Sequence, residues 1–376
     1  MFDPALPAQG SPLQSAVIRS QLSRLTGLLS WVLLVALSSP LAWGTGWVPL
    51  GAGGGGQILM VSGDPADASM VYLGSDVAGL WRSENEGATW QYLTSGWTPK
   101  DCQSLAFDPA DADHLFIALS DGIYHSLDRG QSWGRLVVAA HPGGLAVARA
   151  GGHLVVYFGT GRSRENTGGD GLFYRHNHGG SGVLESFAYA VTTGALVSTL
   201  VNPVDADDLW ISSGAGVFRS LDGGETWMAH NTGLPSATCG KLLADPSQFD
   251  RLLVAVRGLG GTTGGVAYKQ AGTTTWTSLS GNLPVTNVDW TAVATDPAAF
   301  GQRVWAGSSQ DASGGLFYTA NGLDAVPTWT ARQTVTEAGW ATANPIRTNP
   351  HSLIRLADGS LWTGKNGNST RAPMRG

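Results

Sequence analysis

The chain has 376 residues, of which 53 are glycine and 15 tryptophan; 42% are apolar and 13% charged. That apolar content supports a large core and excludes wholesale disorder, and a formal net charge of −6 excludes a strongly basic nucleic-acid binder. Two cysteines exclude a disulfide framework and every multi-cysteine zinc motif, so no metal-ligand set is predicted and no cofactor is implied.

In chain order, Arg19 and Arg24 precede an apolar run, Leu25 to Leu37, and small residues follow at Ala42 and Gly44. Basic flank, short apolar stretch and small-residue cleavage site are the order of a secretory signal, and the run is too short to span a bilayer. Residues 1–44 are therefore expected to be a signal peptide and 45–376 the mature domain. The expected location is secreted or periplasmic, with no membrane span once the leader is removed.

A repeat of about 40–50 residues follows. Asp64-Pro65, Asp108-Pro109, Asn202-Pro203, Asp245-Pro246 and Asp296-Pro297 each end a short apolar stretch. Each pair is followed by a β-rich run, a glycine-bounded loop and an aromatic-bearing run, and the unit ends near Trp90, Trp133, Trp227, Trp276 or Trp329. This reads as four short strands, A to D, separated by turn chemistry. A degenerate unit is expected at 144–148, 153–160, 171–175 and 183–190. A last one is expected at 341–348, 352–356 and 360–365, its outer strand supplied by Trp47–Leu50. The predicted fold class is all-β: a single seven-bladed β-propeller closed by an N-terminal outer strand, which removes exposed sheet edges.

Three C–D turns carry a sharper pattern: Ser83 to Trp90, Ser126 to Trp133 and Ser220 to Trp227, each with Asn or Asp at the third position and glycine at the fifth. The side-chain oxygen takes backbone amides, glycine accepts positive φ, and tryptophan packs between sheets. The pattern resembles the Asp-box (BNR) repeat of bacterial sialidases, sortilin-type propellers, xyloglucanases and photosystem-II assembly-factor propellers. The box acids are read as structural, because a repeated fold element hosts unrelated functions.

In a four-stranded meander the A–B and C–D turns share one face, here the bottom, so chemistry is expected among the B–C and D–A loops on top. The longest B–C loop, 159–171, holds Arg162, Arg164, Glu165, Asn166 and Asp170. Long loops on a rigid frame concentrate binding residues. Asp101 and Asp289 sit seven residues before their Asp-Pro pairs, at equivalent positions near the channel mouth, and Cys102 and Trp290 follow them. Cys102 and Cys239 belong to different repeats, so no disulfide between them is expected. Trp97 and Trp290, on D–A loops, are candidate platforms for sugar rings.

One segment narrows the reading. Gly53–Gly56, followed by Val71-Tyr-Leu-Gly-Ser-Asp76-Val-Ala-Gly79-Leu-Trp-Arg82, resembles the opening of the xyloglucanase family of glycoside hydrolases. The resemblance implies that Asp76 is a catalytic carboxylate on the first B–C loop. It also implies a glycan bound between two tandem propellers, with the partner acid on the second. Glycoside hydrolysis uses two carboxylates, and within this chain Asp121, Asp311, Asp170 and Glu165 are the options for the second. The arginine cluster a sialidase needs is not evident on the inner strands. Two functions remain open: a carbohydrate-active propeller that binds or hydrolyses a β-glucan-like polysaccharide, with Asp76, Trp97, Asp101, Asp121, Arg162, Arg164, Asp289, Trp290 and Asp311 around its site, or a non-catalytic propeller that holds a protein or peptide.

Overall fold

The structure is a computed structural model that describes residues 48–49, 57–98, 101–162, 168–189, 194–309, 315–332, 352–356, 358–364 and 374–375. The expected leader, Arg164, Glu165, Asn166 and Asp311 lie outside the described residues.

The chain is an all-β propeller. Six four-stranded sheets are each a meander of consecutive antiparallel strands. Their inner strands are Ile58–Gly63, Cys102–Asp108, Pro142–Ala150, Leu196–Asn202, Cys239–Asp245 and Trp290–Thr295. A further sheet is composite: Leu353–Arg355, Leu361–Thr363 and Met374–Arg375 are joined by Val48–Pro49 from the other end of the chain. The register pairs Val48 with Arg375 and Pro49 with Met374.

This corrects the strand assignment for the last unit. The segment expected as strand B, 352–356, is the innermost strand, and the third strand is Met374–Arg375. The turn around Asp358–Gly359 is consequently an A–B turn on the bottom face, not a B–C loop. No Asp-Pro pair marks that turn, and without the marker the spacing shifts by one strand.

Apolar clusters lie between successive sheets. Met60, Tyr72 and Leu80 pack on Leu115, Ile117 and Leu119, and Phe116 and Ile123 on Leu154, Val156 and Phe158. The series continues around the ring until Trp362 of the composite sheet closes on Ile58, Val61, Val71 and Leu73 of the first. Both faces of each sheet are covered, which is why the middle strands read as continuous apolar runs rather than alternating ones. Across the channel, the partly buried Lys241 donates from Nζ to the Leu353 carbonyl at 2.7 Å.

The turn chemistry holds the bottom face. At the five Asp-Pro and Asn-Pro pairs that mark the repeat the side-chain oxygen accepts the amide two residues on, at 2.8 Å for Asp64, 3.0 Å for Asp108, 3.2 Å for Asn202, 2.8 Å for Asp245 and 3.1 Å for Asp296. In the boxes Asn85, Asp128 and Asp222 accept the amides of Thr89, Ser132 and Thr226 at 2.8, 2.8 and 2.9 Å. Gly130 and Gly224 stand at φ 88° and 94°, and a Cβ there would meet Leu93 at 2.9 Å and Phe173 at 2.4 Å. The residue before each glycine donates its amide to an A–B turn carbonyl (Ser69, Asp113 or Asp207), pinning the two bottom turns together. These bonds account for the box acids as scaffolding.

Candidate functional site

On the top face the same hydrogen bond recurs. The first residue past strand B gives its amide to the carbonyl of the residue just before strand A: Asp76 to Gln57, Gly161 to His141, Gly214 to Ala195, Arg257 to Thr238 and Ser309 to Asp289. Just inside this bond the inner hairpins carry a register shift, between Ile58 and Met60, Cys102 and Ser104, Gly143 and Ala146, and at matching places in the next three sheets. Bulges of this kind re-aim side chains and sit beside functional sites. Here they set the residues preceding strand A at the channel mouth, with the B–C residues beside them.

Asp76 emerges on the face opposite Asp128 and Asp222, because it follows strand B whereas they follow strand C. Its Oδ1 accepts the Gln57 amide at 2.6 Å while its own amide is bound to Gln57. The carboxylate is thereby held on both sides of one residue, half-exposed at the mouth. Asp101, on the next sheet, accepts from Gln103 Nε2 at 2.6 Å. Burial pushes the Asp101 carboxyl above the usual carboxylate range; Asp76 adds to that push, while Gln103, His141 and Arg162 oppose it. Five side chains from three sheets thus share one electrostatic neighbourhood.

His141 is the member the spacing rule does not find. It precedes the inner strand Pro142–Ala150 as Asp101 precedes its own, but its repeat carries no Asp-Pro pair to count back from. Its φ of 46° is uncommon for a residue other than glycine, and such backbone strain collects at functional sites. Its Nε2 lies 3.4 Å from Arg162, and its Nδ1 is buried without a partner.

Other predicted residues fall elsewhere. Trp290 is fully buried in the core, its Nε1 donating to the Pro284 carbonyl at 2.8 Å and its ring edge-on to Phe317. It lies within strand A rather than on the preceding loop and has no exposed face for a sugar. Trp97 is half-buried against Tyr124 and Trp133, at ring separations of 5.2 and 5.9 Å; it is a packing residue rather than an open platform. Asp289 is buried and bound twice by Arg257, at 2.6 and 2.8 Å, with Ser309 Oγ donating to it as well. That ion pair occupies its carboxylate. Asp121 is turned toward Tyr124 and Arg135, its Oδ2 lying 3.0 and 3.4 Å from them. Asp170 bonds Tyr174 at 2.7 Å. Cys102 and Cys239 are buried free thiols.

Comparison with known proteins bears on this arrangement. The chain is 27% identical over 306 residues to a xyloglucanase from Paenibacillus sp, covering 68% of this chain and 28% of that protein. It is a β-propeller resembling the xyloglucanase family. The crystal structure of an ancestral GH74 enzyme superposes with a TM-score of 0.65 at 19% identity, covering 87% of this chain and 47% of the other. A structure of YCF48 bound to D1 peptide superposes at 0.57 with 16% identity, covering 88% and 95%. No family model matches the chain. The propeller is glycoside-hydrolase-like in its relatives, and it spans 28% of the length of the Paenibacillus protein. Among the described residues no helix is long and apolar enough to cross a membrane.

Proposed function

We propose that this propeller is exported, that the sheet composed from both chain ends counts as its seventh blade, and that its top face binds and hydrolyses a β-glucan-like polysaccharide at Asp76 and Asp101. The observation that carries the reading is the pairing of these two carboxyls in unlike environments. Asp101 is desolvated and sits beside a like charge, so it keeps its proton to higher pH than an ordinary aspartate. Asp76 is anchored by the Gln57 amide at 2.6 Å and stands half-exposed at the channel mouth. The desolvated carboxyl suits the part of the acid, and the anchored one at the mouth suits the part of the base.

In the proposed step Asp76 accepts a proton from water as the water oxygen attacks the anomeric carbon. The glycosidic C–O bond breaks, and Asp101 donates its proton to the departing oxygen. His141 and Arg162 offer polar contacts for sugar hydroxyls beside the pair. The similarity to a xyloglucanase supports this substrate class.

The test is turnover and binding on a panel of soluble β-glucans, xyloglucan included. Asp76→Asn is expected to lower kcat by roughly 10²–10⁴-fold, the usual worth of a positioned acid or base. Neither turnover nor affinity across the panel would overturn the reading. A second reading, a propeller that holds a peptide, is supported by the likeness to YCF48 along 95% of that chain. It requires that capture of a peptide partner survive neutralisation of Asp76 and Asp101 together.

A further inference from the structure

At the opposite face, three histidines from two sheets converge. His114 lies just past an A–B turn in strand Asp111–Leu119, His125 closes on the box turn in Gly122–Ser126, and His178 ends Leu172–His178 of the neighbouring sheet. Their candidate ligand nitrogens all lie within 4.8 Å of one another. We propose that His114, His125 and His178 form a zinc-binding site that clips the second sheet to the third.

The geometry fits a tetrahedral centre. With Zn–N bonds of about 2.0–2.1 Å, two nitrogens on one ion stand about 3.3 Å apart. His114 Nε2 and His125 Nδ1 are 3.3 Å apart. The His178 ring is edge-on to both, at 63° to His114 and 70° to His125, with centroids 5.6 and 5.0 Å away. Stacked rings would turn their lone pairs past one another, whereas crossed rings let them converge.

The surroundings support the same donor set. His114 Nδ1, on the far side of its ring from His125, faces Asp108 Oδ2 at 3.6 Å. Asp108 is itself held by two bonds from Arg149, at 2.8 and 2.6 Å. A carboxylate behind a metal-bound imidazole fixes its tautomer and raises its basicity. His176 shares a strand face with His178, and its buried Nδ1 has no partner. His114 is buried, while His125 and His178 are partly exposed and leave an entry path from solvent. An all-imidazole set suits zinc and its borderline neighbours and does not suit calcium or magnesium, which require oxygen ligands.

The protein, treated with EDTA and dialysed, would be titrated with zinc chloride by calorimetry, and X-ray absorption at the zinc edge recorded on the wild-type complex. The expected result is one zinc per chain, imidazole nitrogens at about 2.0 Å, and a melting temperature that rises with added zinc. His125→Asn and His178→Asn should each weaken binding by at least about ten-fold, whereas His230→Asn should not. Absence of stoichiometric binding, a first shell dominated by oxygen, or unchanged affinity in both variants would overturn the site. The absorption measurement needs no variant, so a misfolded mutant does not protect the proposal.

Discussion

Asp76 and Arg257 stand at the same place in the first and fifth sheets: each is the first residue past strand B, and each gives its amide to the residue before strand A, Gln57 or Thr238. Each side chain meets an aspartate on the next sheet, so the two interactions differ in sign. Arg257 meets Asp289 and makes a buried, doubly bonded ion pair at 2.6 and 2.8 Å. Asp76 instead acts on Asp101, a like charge. One backbone frame therefore yields a structural clamp at one position on the ring and a like-charged carboxyl pair at another.

Breaking the clamp from one side leaves a buried charge without its partner. Arg257→Ala is expected to cost about 3–5 kcal/mol, whereas replacing both Arg257 and Asp289 by apolar residues of similar volume should cost far less or nothing. Urea denaturation of the single and double variants checks this. Equal losses would show that packing, not charge, governs the position.

Asp101 carries a pH signature of its own. Its folded pKa is raised above the unfolded value, so its contribution to stability is present below the ordinary carboxylate range and is lost as pH rises through the folded value. Asp101→Asn should remove that loss and leave the protein more stable at neutral pH than the parent. Denaturation midpoints recorded across the acid range would reveal the change, and a variant less stable at neutral pH would contradict it.

The box acids have the opposite sign. Burial acts to raise the Asp222 carboxyl, but the bonds from Thr226 and Ser220 outweigh it and hold the group at about 2. Its contribution is present above the unfolded value of about 3.9 and is lost as pH falls through the folded one. Asp222→Asn should flatten the loss of stability between roughly pH 4 and 2 while leaving activity at neutral pH unchanged. Acid unfolding followed by circular dichroism measures the slope.

Trp290→Ala should destabilise the fold by about 3–5 kcal/mol through the cavity it leaves. Glycan affinity of the protein that remains folded should not change, because the ring is buried and touches no ligand. Thermal melts beside a binding isotherm separate the two effects; a normal melting temperature with lost affinity would return Trp290 to the site.

Much of this molecule is written in local chemistry. The Asp-Pro turns and boxes are short-range devices whose bonds span two to four residues, so their spacing alone marked the repeat. Strand parity then placed Asp76 on the face away from Asp128 and Asp222, since alternation along a meander needs no knowledge of distant contacts. Where the markers lapse, at His141 and in the composite sheet, the count slipped. Tertiary structure decided everything that depends on which side chain crosses from one sheet to the next. Sheet-to-sheet packing buried Trp290, gave Arg257 to Asp289, set Asp101 beside Asp76, and gathered His114, His125 and His178 from positions up to 64 residues apart. Such meetings follow from the angle between neighbouring sheets and the volumes packed between them, quantities that no stretch of chain carries by itself.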